Sequence, residues 1–579
     1  MKHSMGIVLF ALLFATASPQ AKAPASPPRH LPQGAAISSQ HALATDAGLE
    51  VIARGGNAFD AAVAVSAALA VVEPQSSGLG GGGFFLLHDA NTNRDVFVDA
   101  RETAPMSATP ALYLDAKGDL DRDKAENGPL SAGIPGLPAG LVHIARHYGR
   151  LPLSVSLAPA IRLARDGFPV NARMVFGWGE RSEVMQRYAG TRKVFLADGN
   201  PPQVGATFRQ PQLAHTLQLI AAKGRDGFYR GATAARMLAE VRRYGGRWSQ
   251  RDLDDYQAKE RVPLRIRYRD RDIVTAPPPS SGGVVLAEIL QVLEGWDLSK
   301  LDEATRAHVE VEAMRRAYHD RGLFLGDPDF VKMPIARLTS DAYAAKLRAS
   351  IQLDKATPSA SLTDGGAAFD GINTTHFSII DAAGNMAAVT QTVNLSYGSG
   401  MVVDGAGFLL NDEMDDFALK ANTPNAFGVI GRDANAVAPH RRPLSSMSPT
   451  FLIGKDRTAV LGAKGGSRII TITLHGILGL EQGMSPAQIA AMPRFHHQYL
   501  PDVISAEPGA LSPEAIAKLQ AMGHMVKVDD QPWTYYLHAV DWDRRDGTLR
   551  GGADPRNPPG AAEVVLAKPK PKAHAEATR

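Results

Sequence analysis

Two threonines at the mouth of a short hairpin constrain this chain more than any other feature. Residues 371–394 read Gly-Ile-Asn-Thr-Thr-His-Phe-Ser-Ile-Ile-Asp-Ala-Ala-Gly-Asn-Met-Ala-Ala-Val-Thr-Gln-Thr-Val-Asn. Asp381 to Asn385 fits a short hairpin loop with Gly384 at its left-handed third position. Asp381 then opposes Asn385, and counting outward along both strands sets Thr374 opposite Thr392. Opposed residues share a face, with Cβ atoms about 5 Å apart. A low-complexity run, Lys355 to Asp370, rich in Ala, Ser, Thr, Gly and Asp, leads into the hairpin. A buried strand that starts with such a tether implies that the tether is released or moved.

The pair has two readings. One is an ordinary Thr–Thr contact on a solvated face. The other is a nucleophilic Thr374 positioned by the Thr392 hydroxyl. An N-terminal Thr needs no His–Asp relay, because its own α-amino group titrates near pH ~8 and serves as the base. The β-branch holds the hydroxyl in few orientations. This chemistry requires cleavage between Asn373 and Thr374: the hydroxyl attacks the Asn373 carbonyl, an ester forms, and water releases a new N-terminus.

Further along the chain, Asn57 to Val72 is apolar all round and capped by Asn57, which predicts a buried helix ending before Pro74. Gly78 to Gly83 leads into a buried strand, Phe84 to His88. The glycine run lacks a following Lys-Ser/Thr and enters a strand, which excludes a phosphate loop. Asp95 to Asp99 reads as the next strand, with Arg101 after it. Residues 130–350 read as mostly helical, broken by Pro and Gly, including Pro277-Pro-Pro-Ser-Ser-Gly-Gly283. After Thr374, short alternating strands are expected up to a helix near Ile469 to Leu480.

The chain has 579 residues, a formal net charge of +3 and no cysteine. That charge is too small for a nucleic-acid partner, and no basic stripe with aromatics appears. The missing thiols exclude disulfides and Cys-ligated metals. Lys2 and His3 followed by the apolar run Ile7 to Phe14 read as an export signal, with cleavage near residues 17–23. The run is too short to cross a bilayer, which takes ~20 residues. A periplasmic or secreted location, a disordered Ala/Pro lead-in and a basic disordered tail at about 567–579 are therefore expected.

Several motifs together resemble the γ-glutamyltranspeptidase family of N-terminal-nucleophile (Ntn) hydrolases. They are Asn373-Thr-Thr-His-Phe-Ser with Thr390-Gln-Thr-Val-Asn394, Gly56-Asn57-Ala58, Asp60-Ala-Ala-Val-Ala, Leu79-Gly-Gly-Gly-Gly-Phe84, Arg101-Glu102 and Leu409-Leu-Asn-Asp-Glu-Met-Asp-Asp-Phe417. Arg442-Pro-Leu-Ser-Ser-Met-Ser-Pro-Thr450, Gly465-Gly-Ser-Arg468, Pro493-Arg-Phe-His-His497 and Asp554-Pro-Arg556 complete the set. The resemblance runs from about Ala36 to Arg556. It implies an α+β fold, a four-layer αββα sandwich built from two autoprocessed chains, 24–373 and 374–579, that stay together as a heterodimer.

The resemblance also implies a site. Thr374 is the nucleophile, supported by Thr392. Gly465 and Gly466 supply oxyanion-hole N–H groups. Arg101, with Ser445 and Ser446, binds the α-carboxylate of a γ-glutamyl donor. Asn394, Glu413 and Asp416 receive its α-ammonium, Glu413 standing where some relatives carry Gln. Ala421 to Arg432 resembles a lid, with Phe427 where bacterial relatives commonly have Tyr. Lys464 stands where many relatives have Pro, and either stiffens the loop or attracts an anionic acceptor. His376, His496 and His497 fit no zinc spacing and read as structural. No metal or cofactor is implied.

The expected function is an exported γ-glutamyltransferase and glutathione hydrolase. Its partners are small molecules: glutathione, other γ-glutamyl compounds, and amino-acid or peptide acceptors. Two alternatives stand beside it. One is a glutaryl (cephalosporin-type) acylase or poly-γ-glutamate enzyme of the same architecture. The other is an uncut, non-catalytic amino-acid-binding protein.

Overall fold

The computed structural model describes residues 30–196, 199–362 and 374–567. The signal segment and lead-in, Asn373 with the end of the low-complexity run, and the basic tail from Lys568 lie outside the described residues.

Two antiparallel sheets form the centre. The first orders its strands Ala561–Leu566, Gly34–Ser39, Thr375–Ile380, Met386–Thr392, Gly82–Asp89, Arg94–Ala100 and Lys259–Arg261. The second orders Leu549–Ala553, Leu537–Asp543, Arg457–Ala463, Thr450–Ile453, Arg271–Thr275 and Leu264–Tyr268. Alternate residues serve opposite faces. Phe85, Leu87, Val96 and Val98 join the core under the helices Ala42–Ala53, Ala58–Val72 and Leu137–His147. Phe84, Leu86 and Phe97 join a core shared with Ala459, Leu461 and Ala539 of the second sheet. The helices Gly282–Leu293 and Ile469–Glu481 cover the other side, backed by Glu303–Phe324. The result is the expected αββα sandwich.

The helix Ala58–Val72 is buried at every position. Asn57 caps it, with Asp60 completing a capping box. The hairpin loop adds a second anion at this helix end: Asp381 Oδ2 accepts from Ala58 N–H at 2.9 Å. The same carboxylate closes its own loop by accepting from Ala383 and Asn385 N–H, and Gly384 sits at φ 87°. The loop that sets the hairpin register is thereby pinned to the core.

Two expectations need correction. The segment read as mostly helical also holds Leu264–Tyr268 and Arg271–Thr275, which form one edge of the second sheet. Its signal is the alternation Arg265-Ile-Arg-Tyr268, where the exposed arginines mask a strand with buried Ile266 and Tyr268. And residues 393–449 are not alternating strands. They are turns and short 3₁₀ segments held by side-chain-to-backbone bonds, such as Asn411 Nδ2 to the carbonyls of Gly80 and Gly133. Both sheets take strands from before and after Thr374, so the two halves of the chain are interleaved. Among the described residues no helix is long and apolar enough to cross a membrane.

Candidate active site

The hairpin has the anticipated register. Ile380 pairs with Met386 and Thr375 with Gln391; one step further sets Thr374 against Thr392. Thr374 is buried, and its Oγ1 lies 3.4 Å from Thr392 Oγ1. That is long for a hydroxyl pair, so Thr392 orients more than it binds. Thr392 Oγ1 is itself fixed, accepting from Asn394 N–H at 2.8 Å. Next to Thr374, Thr375 Oγ1 donates to Glu73 Oε2 at 2.9 Å. The glycine run serves backbone approach: a Cβ on Gly81 would lie 2.0 Å from the Thr392 carbonyl oxygen.

One cavity gathers Thr374, Thr392, Asn394, Arg101, Glu413, Asp416, Ser445, Ser446, Phe427 and Gly466. The start of one strand, Thr375–Ile380, and the loops after three others, Arg94–Ala100, Met386–Thr392 and Arg457–Ala463, therefore deliver the residues read from separate motifs to one place. The free space among them is about 20 Å³, room for roughly one water. A γ-glutamyl group does not fit until something moves.

Arg101 explains the tightness. It is fully buried, and its guanidinium pairs with Glu413 through Nη1 and with Asp416 through Nη2 at 2.5 Å. Nε donates to the Pro443 carbonyl at 3.1 Å. The residues expected to hold the donor's carboxylate and its ammonium thus hold each other. Glu102 lies beside them, 3.8 Å from Nη1. Burial pushes its carboxyl up to about 7, with Arg101 opposing. Burial also pushes Glu413 up, again opposed by Arg101.

Gly465 (φ 134°) and Gly466 (φ 56°) precede the helix Ile469–Glu481. Among the described residues neither N–H finds an acceptor, as an oxyanion site requires. Lys464 does not reach solvent to attract an acceptor. It is fully buried, its Nζ lies 5.1 Å from the centre of the Tyr536 ring, and its N–H donates to the Tyr536 carbonyl. Burial pulls the amine well below the usual lysine value, with Glu73 and Glu180 opposing.

The segment expected to act as a lid packs over the cavity. Phe427 is buried against Gly466, where a Cβ would lie 2.3 Å from the ring. No phenol is needed to hold it. Asn425 Nδ2 donates to Asp416 Oδ1 at 2.9 Å, Ala426 N–H to Asp415 Oδ2 at 2.7 Å, and Gln498 Nε2 to the Phe427 carbonyl at 3.1 Å. Sequence reading missed Asn425. Its signal, a lone Asn in a Thr-Pro-Asn-Ala turn, is that of any surface loop. Arg321 also lines the cavity and was not foreseen.

The three histidines read as structural each have hydrogen-bond partners. His376 is bonded to Thr390 and Ser378, His496 to Thr471 and Gln498, and His497 to Asp502. A group that sequence did not single out, His308, Glu312 and His524, brings three possible ligand atoms within 4.8 Å. His308 Nδ1 and His524 Nε2 bond each other at 2.8 Å, and Arg315 contacts Glu312 at 3.3 Å and His524 Nδ1 at 3.4 Å. These atoms are satisfied without an ion.

The chain is similar in sequence and fold to known proteins. The chain is 41% identical over 531 residues to a glutathione hydrolase proenzyme of Escherichia coli, covering 90% of both. It is 43% identical to one of a Pseudomonas species, covering 85% of this chain and 86% of that one. The crystal structure of a cephalosporin acylase from Bacillus halodurans superimposes with a TM-score of 0.80 at 26% identity, over 96% of this chain and all of that one. The family description of gamma-glutamyltranspeptidase matches residues 44–564. The chain belongs to the gamma-glutamyltranspeptidase family.

Proposed function

We propose that this chain is a proenzyme that cuts itself between Asn373 and Thr374 and then acts as a γ-glutamyltransferase and glutathione hydrolase. The freed Thr374 amine takes the hydroxyl proton, and Oγ1 attacks the γ-carbonyl of the donor. The oxyanion is stabilised by Gly465 and Gly466 N–H, and the leaving amine departs protonated. The γ-glutamyl ester on Thr374 passes to water, giving glutamate, or to the amine of an amino acid or peptide. The pieces 24–373 and 374–579 remain joined as a heterodimer, and the N-terminal segment directs export.

The observation that carries this reading is the convergence of Thr374, Thr392 and Gly466 with an Arg–carboxylate cluster in one buried cavity. Binding alone needs no threonine pair and no orphan N–H groups. The acidic residues Glu413 and Asp416 suit a donor with an α-ammonium, which a glutaryl group lacks. Thr374→Ala is expected to leave a single uncut chain with no turnover of γ-glutamyl anilide or glutathione. Thr374→Ser should retain both activities at reduced rate. An uncut Thr374→Ala protein that still hydrolyses these donors contradicts the proposal.

A further inference from the structure

Lys464 is a buried lysine beside the two proposed oxyanion glycines, and its charge acts on a carboxylate bonded to the strand that follows Thr374. That carboxylate is Glu73, which caps the end of the helix Ala58–Val72 and is 1% exposed. Its N–H donates to the Leu69 carbonyl at 2.9 Å, and its own carbonyl accepts from Ser76 and Ser77 N–H at 2.8 and 3.0 Å. The side chain is therefore delivered from a fixed backbone. Thr375 Oγ1 donates to Glu73 Oε2 at 2.9 Å, one residue from Thr374 at the start of the strand Thr375–Ile380.

Lys464 follows the strand Arg457–Ala463 and directly precedes Gly465 and Gly466. Its N–H donates to the Tyr536 carbonyl at 3.0 Å and its Nζ lies 5.1 Å from the centre of the Tyr536 ring, so backbone and side chain pack on the same tyrosine. Two carboxylates act on the amine, Glu73 and Glu180. Glu180 is exposed, where solvent and salt screen it, and Glu73 is not. The partly exposed Arg173 acts on both Glu73 and Lys464, and the amine acts on buried His538. Burial raises the Glu73 carboxyl and lowers the Lys464 amine, and each group opposes the shift of the other. Removing one member of such a buried pair costs far more than removing both.

We infer that Lys464 is a positioning residue for the reaction: through Glu73 and Thr375 it holds the Gly465-Gly466 turn in place relative to Thr374. The inference rests on the proposed reading of Thr374 as nucleophile and of the two glycines as the oxyanion site. Glycines restrict the backbone little, so a turn built from them takes its position from what anchors its start. None of Lys464, Glu73 and Thr375 is among the residues that line the cavity. The three therefore act on the alignment of the reacting groups and leave donor binding to others.

The test measures kcat and KM on γ-glutamyl p-nitroanilide, per cleaved chain, for Lys464→Met, Thr375→Val and the two together. Methionine keeps an unbranched side chain and removes the charge; valine keeps the shape of threonine and removes the hydroxyl. Each single change should lower kcat by about 10- to 100-fold, the scale of a misplaced reacting group, with KM changed by less than about 3-fold. The double variant should lose no more than the worse single one, because both act through Glu73. Full kcat in cleaved Lys464→Met, even with a lowered Tm, would show a purely structural role and overturn the inference. Losses that multiply in the double variant would overturn it too. Should Lys464→Met fail to mature, Thr375→Val decides: an unchanged kcat overturns the inference, and a loss in kcat at unchanged KM upholds it. A wild-type chain that stays uncut or is inert toward the anilide would instead contradict the functional reading beneath it.

Discussion

The chemistry turns on single contacts around Thr374. Thr392 Oγ1 is held by Asn394 N–H and faces the nucleophile across the hairpin. Thr392→Ala removes that guide while leaving the backbone register intact. Its kcat on γ-glutamyl anilide is expected to drop by about 100-fold, the scale of a misplaced reacting group, with Thr392→Ser close to wild type. An unchanged kcat in matured Thr392→Ala would show that Thr392 is only a neighbour. This pair was legible in sequence because strand periodicity and loop length together fix which residues oppose each other. The pairing of Arg101 with Glu413 and Asp416 was not, since charges in loop motifs carry no information about their partners before folding. Arg321 was hidden for another reason. Tyr318-His-Asp-Arg321 reads as the wet face of a helix, yet Tyr318, Asp320 and Arg321 are all buried.

At the scale of elements, the proposed lid and the proposed oxyanion loop meet where Phe427 packs on Gly466. Gly466 has a positive φ of 56° and no room for a Cβ. Gly466→Ala should therefore push the lid open and distort the loop. The expected result is a Tm lowered by several degrees, from about 1 kcal/mol of backbone strain plus the clash, and near loss of turnover. Asn425→Ala acts on the other side of the same contact. It frees Asp416 Oδ1 and the Phe427, Val429 and Asp416 bonds that Asn425 makes. Donor entry should quicken, seen as a faster inhibitor on-rate, while KM rises; a slower on-rate would contradict a lid that must lift. Elements built on periodicity, such as the capped helix Ala58–Val72 and the strand Gly82–Asp89, were readable in advance. The long turn region 393–449 was not, because its shape comes from distant side-chain bonds rather than from any repeating pattern.

For the whole molecule, buried titrating groups set the pH response. Burial pushes Glu102 from 4.5 up to about 7, and Asp415 from 3.8 up to about 8, with Glu126 and Asp416 adding to the latter. In each case the folded state keeps a proton that the unfolded chain has lost, so stability falls as pH rises through that window. Buried His41, His497 and His538 are pulled from 6.5 down to about 4. They stabilise fully above pH 6.5, and that contribution is lost on acidification. Above pH 6.5 the histidine contribution is complete; Glu102 and Asp415 then lower Tm toward pH 8, and the depressed Lys464 amine opposes them. Glu102→Gln with Asp415→Asn should remove this downward contribution throughout the interval from 3.8 to about 8, which also steepens the rise that the histidines give on the acid side; a double variant with the wild-type slope would contradict the assignment. Interleaving matters at the same scale. Both sheets hold strands from both sides of Thr374, so the pieces left by a cut there share both sheets. The most direct measurement is the intact mass of the purified protein with N-terminal sequencing of its pieces. Two co-purifying chains, the smaller beginning at Thr374, are expected. A single uncut chain that turns over γ-glutamyl donors would contradict the self-made nucleophile on which the rest depends.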